Sequence, residues 1–470
     1  MRNLPLVLFL FLSSLSMQVL AGLPNGKIYG VNLGSWLVLE SWMLPQEWLD
    51  MGGQSCANCV DCIATESAFA KAYPNTVDKI FAEHWRTWFN QTHVNELVAV
   101  GINTVRIPLG YWIVEALVHR PTEAYPRGGL GYLRDGLGWL QKAGIQVILD
   151  HHALPGVQTP GQQFTGDCTT DVQFYTPYNY HRALVWTAVM TSLAHLDSNF
   201  GSVFAIEAVN EPIMNAALTP GYGEFQMNFV QTVRAVELTL GIPVPGVSLD
   251  YSVSSTNFTA ALDDTCSSSL FNTNVTAAIK DAIPILIGIA SEYGLGNVFT
   301  SSPFQCEHPS LVTSFMDINW QYNNPPNPAK AAIGPQGYDN HLYYSFGGVA
   351  AANPDAYLTS VCNLQRIQND AALGNSPLWF GEWGLPTQFY ATDEFLCKWA
   401  DAQKLAYSKG AGWLFWNFKT EISKLTNGTG LARQWSYLEG VKLGFLTKDP
   451  ADYHDPNVCA PYINSTHSTS

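Results

Sequence analysis

Glu211, in "VFAIEAVNEPIMN" (203–215), and Glu382, in "PLWFGEWG" (377–384), each close an apolar run with a carboxylate. Asn210 and Pro212 would also suit a plain turn. Two carboxyl groups flanking a glycosidic bond, however, suffice to hydrolyse it. One donates a proton to the leaving oxygen, and the other attacks the anomeric carbon or activates water. That chemistry needs unlike environments, with one acid protonated while the other is ionised. Arg106, Tyr343 and nearby imidazoles are the groups able to create the difference through charge and hydrogen bonds.

The elements that must position these residues are legible as short β-branched runs separated by helix-length segments. Strands are expected at 27–33, 103–109, 145–151, 203–210, 297–302, 337–344, 377–383 and 412–418. Helices are expected at 77–99, 130–143, 179–196, 224–240, 277–293 and 393–409. Most strands read as continuous apolar runs, as parallel strands covered on both faces do. Eight alternations predict an α/β chain folded as a single (β/α)8 TIM barrel with loop insertions; an open doubly wound sheet is the alternative. In a parallel barrel, chemistry sits at the carboxyl ends of the strands. Those ends carry Arg106, Asp150-His151-His152, Asn210-Glu211, His341 with Tyr343, Glu382 and Trp416. Glu211 and Glu382 should then face each other across the barrel mouth. Pro/Ser/Thr/Asn-rich residues 241–276 read as a surface insertion, and 461–470 as a polar tail.

Residues 1–21 have the Arg, apolar run and Val19-x-Ala21 ending of a secretory signal peptide, leaving 22–460 as the catalytic domain. Export makes disulfides the expected state of the nine cysteines, including Cys56, Cys59 and Cys62, with the pairing open and an odd thiol left over. Sequons start at Asn90, Asn257, Asn274, Asn427 and Asn464. The formal charge of −15 repels phosphate backbones and argues against nucleic acid. His151 and His152 lack a second ligand cluster at metal-binding spacing, so no metal and no cofactor are expected. Glu207, four residues before Glu211, reads as a buried partner for Arg106. Glu421 reads as a rim or substrate residue, and Trp36, Trp42, Trp139 and Trp413 read as core.

Taken in order, "GVNLGSWLVLESW", "NTVRIP", "LDHHALPG", "VNEP", "HLYYSF", "WFGEWG" and "GWLFWNFKTE" resemble glycoside hydrolase family 5, and within it the fungal secreted β-glucanases. The resemblance implies retention of configuration, with Glu211 as acid/base and Glu382 as nucleophile. It implies that Arg106, His152, Asn210, His341, Tyr343 and Trp416 surround the reacting sugar, and that Glu40 binds hydroxyls of the innermost one. "MGG" (51–53), "PRGGLGYL" (126–133) and "QFTGD" (163–167) resemble the family's β-1,6-glucanases, whereas "GVNLGSWLVLE" is shared with its exo-β-1,3-glucanases. The expectation is a secreted monomer, extracellular or in the cell wall and without a membrane anchor. Its partner would be a β-glucan polysaccharide or oligosaccharide, foremost β-1,6-linked. An exo-β-1,3-glucanase is the alternative, a glycosidase for small or lipid-linked sugars a third, and a non-catalytic glucan-binding barrel the reading from another class. In "DHHALPG" an aliphatic position carries His151, and Ala153 replaces a common Gly; register assigns the family histidine to His152.

Overall fold

Eight parallel strands pair in chain order and close on themselves: β1 (Ile28–Asn32), β2 (Thr104–Gly110), β3 (Gln146–Ala153), β4 (Val203–Glu207), β5 (Val312–Met316), β6 (Gln336–His341), β7 (Leu378–Glu382) and β8 (Gly412–Phe415). The last strand returns to the first, with Ile28 opposite Gly412. This computed structural model describes residues 26–246, 257–267, 270–296, 299, 309–320 and 331–463. The expected leader, Cys306, Asn464 and nearly all of the expected tail lie outside the described residues.

Every residue of β2, β4, β5, β7 and β8 is buried. Helices cover the outside of the ring while side chains fill its inside, so a strand here has no solvent face to mark with polar alternation. The acidic residues of the strands, Asp150, Glu207, Asp339 and Glu382, lie toward their carboxyl ends. On β3, Ile148 belongs to a small apolar cluster with Ala205, Val312, Trp379 and Leu414. Asp150 and His152 follow on the same face at a period of two, one layer nearer the mouth.

The fifth strand corrects the sequence expectation. It is "VTSFM" at 312–316 rather than 297–302. Phe299 is helical and buried, and the rest of the expected run lies outside the described residues. A short apolar run fits a buried helix end as well as a buried strand, and nothing local separates the two. The expected helix 77–99 is two helices, Val77–Trp88 and Gln91–Ala99. Asn90 breaks it by accepting the Thr92 N–H, while His93 reaches back to the Asn90 N–H in a capping box. Within the expected insertion, Phe258–Ser267 is a helix that buries Phe258, Ala261 and Leu262, so this part is packed into the core.

The cysteines pair as Cys56–Cys62, Cys59–Cys168 and Cys362–Cys459, and Cys266 and Cys397 are free thiols. The second bridge ties the segment after β1 to the long β3 loop, and the third ties the C-terminal segment to helix Pro354–Cys362. Helix Thr273–Glu292 is long and apolar enough to cross a membrane. It buries Val275, Ala278, Ile279, Ala282 and Leu286 inside the protein.

Candidate active site

Arg106, on β2 and wholly buried, organises the carboxyl ends of five strands. Its Nε donates to Glu207 at 2.9 Å. One terminal nitrogen donates to Asn32 at 3.1 Å and to Glu382 at 2.9 Å, and the same nitrogen lies 3.0 Å from Asp150. The other terminal nitrogen donates to Asn210 at 2.9 Å. Only the planar guanidinium has enough donors in fixed directions for this set. Burial disfavours its charge, but Asp150, Glu207, Glu382 and Asp339 together hold its pKa well above the ordinary value. Glu207 is therefore an Arg106 partner inside the barrel. Burial also pushes Glu207 to about 8 and Asp150 to about 7, against the pull of Arg106.

Glu382 ends β7 and is 5% exposed. Arg106 donates to one of its oxygens, and the Tyr343 hydroxyl donates to the other at 2.9 Å. Burial pushes this carboxyl up, to about 8, and Glu211 adds to the rise, whereas His341, Arg106 and Tyr343 draw it down. Burial, with the charges of Glu382 and Glu211, holds the Tyr343 pKa well above its usual value, so its phenol stays a donor. Asp339 fixes the strand beneath by accepting the Gly381 N–H at 2.6 Å. A Cβ at Gly381 would stand 1.9 Å from the Asp339 carboxylate, so only glycine allows that approach.

Glu211 stands four residues past the end of β4, with φ of +39°. A non-glycine residue in that region is strained, and the strain turns the side chain out of the strand's course. The turn is tied down by Thr159, whose hydroxyl donates to the Glu211 carbonyl. His341 Nδ1 lies 2.7 Å from Glu211 and 3.5 Å from Glu382, bridging the two acids. A register shift between the Asp339 and His341 pairings sets His341 opposite Glu382. Burial disfavours charge on His341, but Glu382, Asp339 and Glu211 hold its pKa well above the ordinary imidazole value. One ligand atom each from Glu211, His341 and Glu382 lies within 4.8 Å of the others, a spacing that would also accept a metal ion.

His152 donates to or accepts from Asp150 through Nδ1 at 2.6 Å, and its ring stacks on Trp416 at 5.7 Å and 10°. His151 points the other way, as the neighbour on a strand must. It stacks on Trp186 of helix Pro177–Leu196 at 3.9 Å, and burial holds its pKa well below the ordinary value. His151 thus packs barrel to helix. Glu40 is buried, accepts from Trp42 Nε1 at 2.9 Å, and is pushed up to about 8 by burial, with Glu382 and Glu211 adding to the rise. Eight of the nine residues singled out in the sequence lie at or beyond the carboxyl ends of the strands, and Arg106 reaches them from within β2. Glu421 instead accepts the Gln46 N–H at 2.8 Å in the first turn of helix Pro45–Met51, so it holds structure. Trp36 and Trp413 are core, but Trp42 is half-buried against Trp435, which in turn packs on Tyr343 at 5.6 Å.

Asn32, Asp339, Trp320 and Trp435 were not foreseen from sequence, and Asp150 was placed at the end of strand three without a role. Asp150 and Asp339 each precede a site histidine by two residues, and period two alone would have flagged them. Trp320, edge-on to His341 at 5.9 Å, follows β5 and was hidden by the misplaced strand.

A closed parallel barrel with paired glutamates at its mouth, cross-linked by one arginine and one histidine, is the framework of a barrel-type glycoside hydrolase. Residues 70–421 match the family described as Cellulase (glycosyl hydrolase family 5), and the chain belongs to that family. It is 30% identical over 445 residues to glucan endo-1,6-beta-glucosidase B of Emericella nidulans, covering 92% of this chain and 88% of that one. It is 34% identical over 194 residues to a glucan 1,3-beta-glucosidase of Blumeria graminis, covering 40% of this chain and 41% of that one. The solved rutinosidase from Aspergillus niger shares the fold, with a TM-score of 0.57 at 17% identity over 90% of this chain and 98% of that one.

Proposed function

We propose that the protein is a secreted, retaining β-glucanase acting on glucan of the fungal cell-wall type, foremost β-1,6-glucan. The carrying observation is the approach of Glu211 and Glu382 oxygens to within 4.8 Å. Retaining glycosidases hold their carboxyl groups about 5–5.5 Å apart, whereas inverting ones leave about 6.5–9.5 Å for a water molecule.

In this reading, Glu211 gives its proton to the glycosidic oxygen while a Glu382 oxygen attacks the anomeric carbon. The leaving chain departs as an alcohol, and a glycosyl ester on Glu382 remains. Glu211, now a base, takes a proton from water, whose oxygen attacks the same carbon and frees Glu382. When Glu211 carries the proton, its repulsion of Glu382 vanishes, and the guanidinium and phenol hold Glu382 ionised and aimed. Asn210, fixed by Arg106, is placed to bond the sugar 2-hydroxyl. His152 and Trp416 border the same space, and Glu40, protonated below about pH 8, can donate to a sugar hydroxyl.

The β-1,6 choice is supported by the near full-length relative named as an endo-1,6-beta-glucosidase. Glu40 beside the acid pair favours the second reading, an exo-acting β-1,3-glucanase. Digestion of pustulan and laminarin with sizing of products separates the two: oligomers from pustulan support the first, and glucose alone from laminarin the second. Glu382→Gln is expected to lower turnover by several orders of magnitude with the fold intact by circular dichroism. Full activity in that variant would remove the nucleophile assignment. Glu211→Ala should retain more activity on aryl glycosides with good leaving groups than on glucan, because these need less acid help.

A further inference from the structure

A groove of about 500 Å³ opens among the first turns of helices Pro177–Leu196, Tyr222–Thr239 and Thr273–Glu292. Tyr175, Tyr180, His181, Glu224, Asn228 and Asn274 contribute to its lining. The first two helices follow β3 and β4, so the groove lies on the face where the strands end. It is bonded to the acid pair's own segment. The Tyr175 hydroxyl accepts from the Ile213 N–H at 2.8 Å, two residues beyond Glu211, and donates to the Gln158 carbonyl at 3.0 Å. The Gln158 amide in turn donates to the Asn210 carbonyl at 3.1 Å.

Its chemistry suits a neutral, hydroxylated ring. Tyr180 stacks on Phe225 at 5.0 Å and 18°, giving an aromatic wall. Glu224, which accepts from the Asn274 amide at 3.2 Å, and His181, paired with Asp281 at 2.8 Å, edge that wall with hydrogen-bonding groups. Among the described residues no Lys or Arg lines the groove, so none of them selects an anion. Tyr178 and Leu218, 60% and 58% exposed, extend apolar surface on the two segments that frame it. A pyranose offers apolar faces for stacking and hydroxyls around its edge, which matches a lining of this composition.

We propose that this groove holds glucosyl residues of the substrate chain on the leaving-group side, beyond the bond cleaved at Glu211. The proposal rests on the glucanase reading above and adds a remote hold on long chains. Asn274 heads a sequon, so the same carbohydrate chemistry could come from the protein's own glycan; the assignment here is to the substrate.

Binding and turnover test this separately. In a Glu382→Gln background, retardation in gels containing soluble pustulan reports binding without cleavage. Glu224→Ala removes a hydrogen-bonding edge of the groove from an exposed position, and is expected to weaken that binding about ten-fold. In the active chain, the ratio of kcat/KM on pustulan to that on an aryl glucoside should fall by a similar factor. Unchanged retardation, or equal loss on both substrates, would overturn the assignment. Asn274→Gln should bind pustulan as the parent does. Binding that appears only after this change would show that the protein's own glycan fills the groove, and would also overturn it. Groove-dependent binding in a chain that cleaves no β-glucan would sink the hydrolase reading and leave the groove standing.

Discussion

The Arg106 guanidinium serves Glu207, Glu382 and Asp150 together, and burial pushes all three upward against its pull, so not all three are ionised at once. The donors decide which ones are. Tyr343→Phe removes one of the two direct donors on Glu382 and should raise its pKa further. The acidic limb of the kcat/KM profile should then move to higher pH, with activity lowered roughly 10- to 100-fold, the scale of a hydrogen bond to a charged group. A pH–rate profile with an unmoved acidic limb would show that the phenol does not act on the nucleophile. Arg106→Lys keeps the charge but cannot reach Asn32, Glu207, Asn210 and Glu382 at once. We expect kcat to fall at least 100-fold, because Asn210 and Glu382 lose their common anchor. The assignment of His152 rather than His151 to the site follows at this scale from period two alone.

Element ends carry more of the function than element interiors. β4 stops at Glu207, and Glu211 is delivered by an irregular turn rather than by the strand itself. Local propensity showed that the run must break near Asn210 but not where the side chain would point. Likewise Asn90 starts a second helix within the single helix expected at 77–99. Asn90→Ala should cost about 1 kcal/mol of stability by loss of the cap, read from denaturant midpoints, and abolish any glycan at that sequon. A glycan-free Asn90→Asp control, which keeps the cap oxygen, should stay near the parent stability.

Across the whole molecule, several carboxyls are held protonated by burial, and Glu66 is the cleanest case. It is wholly buried, accepts the Leu39 N–H at 2.7 Å, and is pushed up to about 8 by burial. Its folded-state pKa lies above the unfolded value, so its stability contribution is greatest at low pH and is lost as pH rises toward 8. His93, His151 and His152 have depressed pKa values and act in the opposite sense, but only below their ordinary value near 6.5. Between about pH 6.5 and 8 the protein should therefore lose stability. Glu66→Gln should reduce that loss by about 1–2 kcal/mol, a slope of roughly 1.4 kcal/mol per pH unit for one group. Parallel stability–pH curves for the two proteins would refute the assignment. The Cys59–Cys168 bridge spans 109 residues, and removing it should cost about 2–5 kcal/mol, read as a drop in Tm.

The sequence by itself determined the barrel, the ends of most strands and the two acids. Buried parallel strands are written as apolar runs, and a carboxylate closing such a run stands out against them. The family motifs came with the same segments. Only the tertiary structure decided which groups meet. Ring closure sets Arg106 against five other strands, a register shift on β6 brings His341 to bridge Glu211 and Glu382, and a groove forms where three helices begin. Those contacts depend on inter-strand register and helix docking, which join residues far apart in the chain and leave no periodic trace within any one segment.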